Sequence, residues 1–501
     1  MGVSKKSLMA TFPELKDFMS RFNKQTPKQK THNLAGGRAY KESTKLELAS
    51  LLLTSFVTDK FYSTADKQMD RVRELVGGLK DKTFAAKAAI YARTKFNMRS
   101  ISHVVAGELF RQNPTAPTHG QVWAKNFIRK VVVRPDDATE ILSYFENSVM
   151  DKSVPAQLKK GLALALGKFD EYGLAKYRGE NKDISMVDLV NYVHPKPTAK
   201  NAKALKGLVE DTLRNKKTWE AKMTQVGKEV DAEEKEEAKG KVWKDMLAEK
   251  ELGYFALLRN LRNILTQSPD SIDEACRQLT NKDAIAKSKI LPFRYLTALD
   301  EIQELFPSAK QRQVLMALND AVDIACANAP AFSGETLVAV DISGSMTGQV
   351  SAIAALFAAI LFKANNADVM QFDDSAHYMG NLNPRDSVLT LAQQISASRG
   401  GTNFHAIFQT ANKAYDRIII LSDMQGWSGY DTPTTSLRVY ENKFYCKPMI
   451  YSFDLAGHGT LQFHEDRVMA VAGFSDKIFD VMEKLEGDKN ALVHEIEAIE
   501  I

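Results

Sequence analysis

The sequence predicts an all-α repeat domain followed by an α/β doubly wound, Rossmann-like domain, and three observations lead there. From about Ser43 to Asn328, apolar residues recur at three- and four-residue spacing, with hardly any alternating β-branched stretches. Near Ala331 the texture changes to short, β-branched apolar runs separated by helical segments. The charge changes sign as well: residues 1–330 carry 55 Lys+Arg against 41 Asp+Glu, whereas residues 331–501 carry 12 against 21. A chain of 501 residues exceeds the size at which one hydrophobic core stops growing, so two domains, 1–330 and 331–501, are expected.

In the first part, Leu46, Leu48, Leu51, Leu52 and Phe56 form one helical face, and Val72, Leu75, Val76 and Leu79 the next. Phe84, Ala88, Tyr91 and Ala92 continue the series, followed by Ile101, Val104, Val105, Leu109 and Phe110. Pairs of short helices at roughly forty-residue intervals predict an α-solenoid in which each pair buries its face on its neighbours. The stretch from Lys228 to Lys250 is dense in both charges and reads as a solvated helix or an insertion. In the second part, strands are expected at Glu335 to Asp341, Ala367 to Phe372, Arg417 to Asp423, Met449 to Phe453 and Val468 to Ala472, with an Ala-rich helix from Val350 to Ala364. Strands this apolar are buried on both faces, which points to a parallel sheet covered by helices, with a ligand site at the carboxyl ends of its strands.

Composition excludes several classes. Hydrophobic residues at 44% and charged residues at 26% are ordinary globular proportions and rule out wholesale disorder. Cys276, Cys326 and Cys446 stand far apart, with none of the paired spacings of a zinc site or a secreted disulfide framework. No apolar run is long enough to cross a bilayer, since even Ser351 to Phe362 stops at Lys363, so a cytoplasmic protein without membrane partners is expected. The basic first half can attract a polyanion such as RNA.

The chemistry gathers at the strand ends. Asp341 and Asp423 each close an expected strand, and Gly400-Gly401-Thr402 lies between them in sequence. The loop Asp341-Ile342-Ser343-Gly344-Ser345 can turn the Ser343 and Ser345 hydroxyls into the same crevice. Hard oxygen donors with few formal charges suit Mg2+; Mn2+ competes for such a site, and Ca2+ would want more carboxylates. The plainer alternative is that Asp341 and Ser345 only cap the following helix. Together Asp341, Ser343, Ser345, Thr402 and Asp423 closely resemble the metal-ion-dependent adhesion site of von Willebrand factor A domains. That resemblance implies that the two serines and the threonine bind the ion while the aspartates act directly or through water, with a position left for an acidic group of the ligand.

Four ordered passages of the helical part resemble the TROVE module of the Ro ribonucleoprotein autoantigen family, whose members end in such an A-type domain. They are Tyr91-Ala92-Arg93 with Met98 to His103; Lys176-Tyr177-Arg178 leading to Val193-His194-Pro195-Lys196-Pro197; Ala256 to Leu261; and Pro292-Phe293-Arg294-Tyr295. The resemblance covers nearly the whole chain and implies a monomeric ring of HEAT-like helical repeats closed by the A-type domain. It implies small, Y-like noncoding RNA on a basic outer surface, single-stranded ends of misfolded RNA in a central hole, and a 3′-to-5′ exoribonuclease as partner. Lys176, Arg178 and His194 fall where the family's RNA-contacting surface lies; Lys159, Lys160, Lys182 and Lys196 are close by in sequence, and Arg259 sits in the Ala256 to Leu261 run. Many relatives have Gly-Gly-Thr-Asp where this chain has Gly400-Gly401-Thr402-Asn403, which removes one carboxylate from the neighbourhood of the site.

Catalysis is not expected. A phosphatase with an aspartyl nucleophile after a strand usually carries another Asp two residues on, where this chain has Ser343, and no phosphate loop ending in Gly-Lys-Ser/Thr is present. The competing non-enzymatic expectation is a metal-dependent protein-protein interaction module that binds no RNA.

Overall fold

The computed structural model describes residues 30–32, 38–41, 44–54, 65–112, 124–149, 153–179, 182–213, 219–229, 234–288, 290, 293–326, 332–395, 400–426, 433–455, 460–463, 468–471 and 491–501. Phe56 and Pro292, and residues 230–233 of the charged stretch, lie outside them.

After two short strands, β1 (Lys30–His32) and β2 (Arg38–Lys41), the chain runs through a long helical array. Its first part is α1 (Thr44–Thr54), α2 (Ala65–Gly78), α3 (Lys82–Lys95), α4 (Ser100–Gln112), α5 (Ala124–Val131), α6 (Pro135–Ser148), α7 (Ala156–Leu166), α8 (Glu171–Lys176), α9 (Met186–Val193) and α10 (Ala202–Val209). It continues with α11 (Trp219–Glu229), α12 (Lys235–Ala248), α13 (Tyr254–Gln267), α14 (Ile272–Leu279), α15 (Lys282–Ser288), α16 (Phe293–Gln303) and α17 (Ala309–Cys326). Packing follows chain order: α3 lies on α4 and α5, α4 on α6, α5 on α7, α12 on α13, and α13 on α14 and α16. Each helix thus buries its apolar stripe against its neighbours. Local signals set the ends: the Asp81 carboxylate accepts from Phe84 N–H at the start of α3, and Ser185 and Asp188 form a reciprocal capping box on α9.

The charged stretch is solvated on only part of its surface. Trp243, Met246 and Leu247 of α12 are fully buried, Trp243 stacks on Trp219 at 5.8 Å, and its Nε1–H donates to Gln267 at 2.8 Å. Three apolar residues at i, i+3 and i+4 are enough to seat a helix whose other faces are charged.

The α/β part contains β3 (Thr336–Asp341), α18 (Gln349–Asn365), β4 (Asp368–Phe372), β5 (Ala376–Tyr378), α19 (Val388–Ile395), α20 (Phe404–Thr410), β6 (Arg417–Ser422), α21 (Thr434–Phe444), β7 (Met449–Asp454), β8 (Thr460–Leu461) and β9 (Val468–Val471). The sheet order is β5-β4-β3-β6-β7-β9, parallel except for the antiparallel edge strand β5. β3 and β6 are buried at every position, as parallel strands covered on both faces must be. The chain steps from β3 to β4 on one side and then to β6 on the other, so connections reverse direction at β3. A crevice at the carboxyl ends of β3 and β6 follows from that reversal. Asp423 stands one residue beyond β6 instead of closing it, because the ladder ends at Ser422.

The two parts are joined at both ends. α17 packs on α19 and α16 on α18; Asp323 accepts from Val388 N–H at 2.9 Å and pairs with Lys363 at 3.2 Å, and Ser387 Oγ donates to Asn319 at 2.6 Å. The last helix, α22 (Ala491–Glu497), returns to α1 and α3 with Leu492 and Ile496 buried. Lys45 meets Glu497 at 2.6 Å, and Lys130 Nζ donates to the Glu500 carbonyl at 2.6 Å. Strand β2 also pairs with β8, and β1 pairs with the other edge of β2, so the chain closes on itself into a ring.

Candidate functional site

At the carboxyl end of β3, Asp341 is fully buried and its carboxylate is fixed from two sides. Its Oδ1 accepts from Ser343 N–H at 2.9 Å, and its Oδ2 accepts from Ser422 Oγ at 2.5 Å. Ser422 follows Leu421, which pairs in register with Val340, so the neighbouring strand delivers that hydroxyl beside Asp341. Ser343 Oγ and Ser345 Oγ lie 3.2 Å apart; Ser343 is buried and Ser345 exposed, which turns the pair toward the mouth of the crevice.

Asp423 is buried too, and its Oδ1 accepts from Gln425 N–H at 3.1 Å. Burial, and after it the charge of Asp423, pushes Asp341 up to about 7 against the hydrogen bonds from Ser343 and Ser422. Two acids this deep and this close repel each other when both are charged, and a bound cation would relieve that repulsion.

Thr402 is buried on a loop locked to the same corner. Gly344 N–H donates to the Gly400 carbonyl at 2.9 Å, and Asn403 N–H donates to the Asp373 carbonyl at 2.8 Å. Gly400 has φ +88°, and a Cβ there would stand 3.1 Å from Oδ2 of both Asp373 and Asp374, so the position demands glycine. Asp374 accepts from Gly401 N–H at 3.0 Å, and Asn403 caps α20 by accepting from His405 N–H. Asn403 therefore does not leave the corner without acids: Asp373 and Asp374 adjoin the glycine loop, a placement that strand β4 sets and that a reading of the loop alone misses.

Among the described residues there is no group of three or more His, Cys, Asp or Glu side chains arranged for a metal. The corner instead offers two buried carboxylates with hydroxyls, a hard-oxygen set that fits a divalent cation retaining several waters. Ser422 belongs with it as the group that orients Asp341, although no motif in the sequence marked it.

The eight expected RNA contacts divide into two kinds. Lys160, Lys176, Lys182, His194 and Lys196 are exposed, and Lys159 is half-buried. Aromatic rings are interleaved with them: Lys159 Nζ lies 4.5 Å from the Tyr192 ring, Lys176 Nζ 5.9 Å from Tyr172 and 5.7 Å from Tyr177, and the Arg134 guanidinium 4.6 Å from Tyr177. His194 ends α9 in the left-handed region with φ +49°. Lys182 pairs with Glu140 at 2.9 Å. Arg178 differs. It is buried, with Nη2 donating to Asp211 at 2.5 Å and Nη1 to the Leu213 carbonyl, so its guanidinium braces the turn after α10 and is not offered to an outside ligand. Arg259 is exposed on α13, on helices other than those bearing the lysines.

The Tyr91 to His103 passage is structural. Arg93 donates to Asp137 Oδ2 at 2.9 Å, Arg99 Nε to Asp137 Oδ1 at 2.7 Å, and His103 lies 3.2 Å from both Asp137 and Glu140. Burial alone would raise Glu140, but His103, Lys182 and Arg99 outweigh it and hold the carboxyl at about 2; Asp137 is held well below the usual carboxylate range by His103, Arg93 and Arg99 in the same way.

A closed helical-repeat array joined to a doubly wound domain, with hydroxyls and acids at the strand ends, defines the class: a helical scaffold carrying an A-type domain. The chain belongs to the TROVE domain family, which it matches over residues 54–241 and 229–338, and residues 335–486 match the Ro60 vWA domain. RNA-binding protein RO60 of Deinococcus radiodurans is 28% identical over 212 residues, covering 37% of this chain and 40% of that protein. Telomerase protein component 1 of Mus musculus is 21% identical over 352 residues, covering 53% of this chain and 13% of that one. The chain thus spans less than half the length of either relative. The crystal structure of the Deinococcus radiodurans RO (RSR) protein has the same fold, with a TM-score of 0.58 over 90% of this chain and 100% of that one at 19% identity. Among the described residues, no helix is long and apolar enough to cross a membrane.

Proposed function

We propose that this chain is a non-catalytic RNA-binding scaffold for RNA quality control or processing in the cytoplasm, with residues 1–330 and 331–501 as its two working parts. Small, Y-like noncoding RNA is held on the basic outer surface, single-stranded ends of misfolded RNA enter the centre of the ring, and a 3′-to-5′ exoribonuclease is the protein partner. The observation that carries this reading is the run of exposed cations on α7 to α9 and the turn beyond, interleaved with Tyr172, Tyr177 and Tyr192. Lysines supply sequence-independent affinity for phosphate, and rings beside them give bases a surface. Family membership and the RNA-binding relative in Deinococcus support the same reading.

In this proposal the A-type domain holds one divalent cation, Mg2+ in preference to Mn2+ or Ca2+. Ser343, Ser345 and Thr402 would bind it, with Asp341 and Asp423 acting directly or through water. The ion would supply a fixed positive charge for an acidic group of a partner; the protein's own part is to aim the hydroxyls and keep Asp341 in place through Ser422.

The test is purification of the intact chain at moderate salt, with extraction and sequencing of bound RNA, alongside a Lys160→Glu/Lys176→Glu variant. Discrete small RNAs that the variant loses are the expected result. Absence of RNA from both preparations would refute the reading and favour a metal-dependent protein-protein interaction module.

A further inference from the structure

A cleft of about 470 Å³ opens between α13 and α16, on helices other than those bearing the lysine surface. Its walls are two facing helical stripes. Phe255, Arg259 and Arg262 stand at i, i+4 and i+7 of α13, and Arg294, Thr297 and Glu301 stand at i, i+3 and i+7 of α16. Arg262 donates to Glu301 at 2.7 Å, so this pair ties the two helices together and cancels its own charge. Beside this pair, Arg259 presents an exposed guanidinium to the cleft.

Phe255 is 47% exposed, so a face of its ring is open to the cleft. Arg259 lies one turn further along the same stripe, a rise of about 6 Å, which is comparable with the reach from the base of a nucleotide to its phosphate. An aromatic face next to a guanidinium group that can fork onto phosphate oxygens is the chemistry that recognises a nucleotide. The cleft volume lies within the usual range for a site of that size.

We propose that this cleft captures one unpaired nucleotide of an RNA strand, its base stacked on Phe255 and its phosphate held by Arg259. The inference rests on the RNA-scaffold reading and adds to it a contact that distinguishes unpaired from paired RNA. A base inside a duplex is already stacked on both faces and cannot lie on the ring.

The experiment is fluorescence anisotropy with the full chain, using a fluorescein-labelled oligouridylate and, separately, a blunt-ended RNA hairpin, with uridine monophosphate as competitor. Phe255→Ala and Arg259→Gln should each weaken oligouridylate binding about tenfold or more, and Phe255→Trp should restore it. Hairpin binding should stay unchanged in Phe255→Ala and weaken in Lys176→Glu. Unchanged oligouridylate affinity in Phe255→Ala would overturn the inference while leaving the scaffold reading intact. Tight binding of uridine monophosphate that Phe255→Ala abolishes, with no binding of oligouridylate, would overturn it in favour of a free-nucleotide site. Failure of the wild-type chain to bind either RNA would refute the scaffold reading, and this inference with it.

Discussion

Replacing Asp137 by Asn should destabilise the helical array more than any change on its lysine surface. Asp137 is fully buried, accepts from Arg93 at 2.9 Å and from Arg99 at 2.7 Å, and takes the Val133 and Arg134 backbone N–H groups at 2.8 Å each. Asn removes the negative charge and leaves Arg93 buried beside a neutral amide. Removing one partner of a buried ion pair costs about 3–5 kcal/mol, and weakening the cap on α6 adds roughly 1 kcal/mol. Part is recovered, because Arg99 also reaches Asp136 at 2.7 Å and Glu140 at 3.0 Å. A net loss of about 4 kcal/mol corresponds to a fall in the melting midpoint of roughly 10 °C. Thermal unfolding followed by far-UV circular dichroism measures it. Arg93→Met on the Asp137→Asn background should cost less than the two single changes added together, since no uncompensated guanidinium then remains. A fall of less than about 2 °C, or strict additivity of the pair, would refute the view that this cluster holds the array.

The same cluster sets a pH dependence. Asp137 and Glu140 have folded values below their unfolded ones, so their stabilisation is complete above the ordinary carboxylate range and is lost as pH falls through the folded values, for Glu140 between about 4.5 and about 2. The melting midpoint should therefore drop steeply over that window, and Glu140→Gln should flatten the drop. Arg178→Gln should lower the midpoint by the equivalent of about 1.5–3 kcal/mol through loss of Asp211 and the Leu213 carbonyl, whereas Lys176→Gln should leave melting unchanged and weaken RNA binding. Gly400→Ala forces a Cβ against Asp373 and Asp374 at an unfavourable φ and moves the Thr402 loop. Added Mg2+ should raise the wild-type midpoint, by the equivalent of about 2.7 kcal/mol at a hundred times its dissociation constant, and should not raise that of the variant. Ile496→Ala, at a cost of about 2–4 kcal/mol, should speed amide exchange in α1 and α3 but leave α13 and α16 protected.

Much of the fold was legible because the two periodicities are strong. Helical spacing held from Leu46 onward, and the apolar, β-branched runs expected to end at Asp341 and Asp423 pointed to covered parallel strands, which end at Asp341 and Ser422. What escaped was set by distant partners. β5 and the β1-β2-β8 sheet are too short to carry a pattern of their own. The charge density of α12 concealed the three residues that bury it. The corner around Asp341, Ser343 and Ser345 was legible because its parts lie within one loop, while Ser422 and Asp374 reach it across strands that sequence does not align.

The helical passages behind the family resemblance also serve different physical ends, and this decides which variants are informative. Arg93, Arg99 and His103 converge on Asp137 and Glu140, and Arg178 is tied to Asp211, thirty-three residues on. A basic residue in a motif looks the same in sequence whether it faces water or a carboxylate, since the carboxylate arrives from another helix. Charge reversal at Arg178 would place a glutamate against Asp211, so any loss of RNA binding would be inseparable from local unfolding. Lys160, Lys176 and Lys196 are exposed, and a variant there alters the surface potential while the array stays folded. The lysines therefore test the RNA surface, and the arginines test what holds it in place.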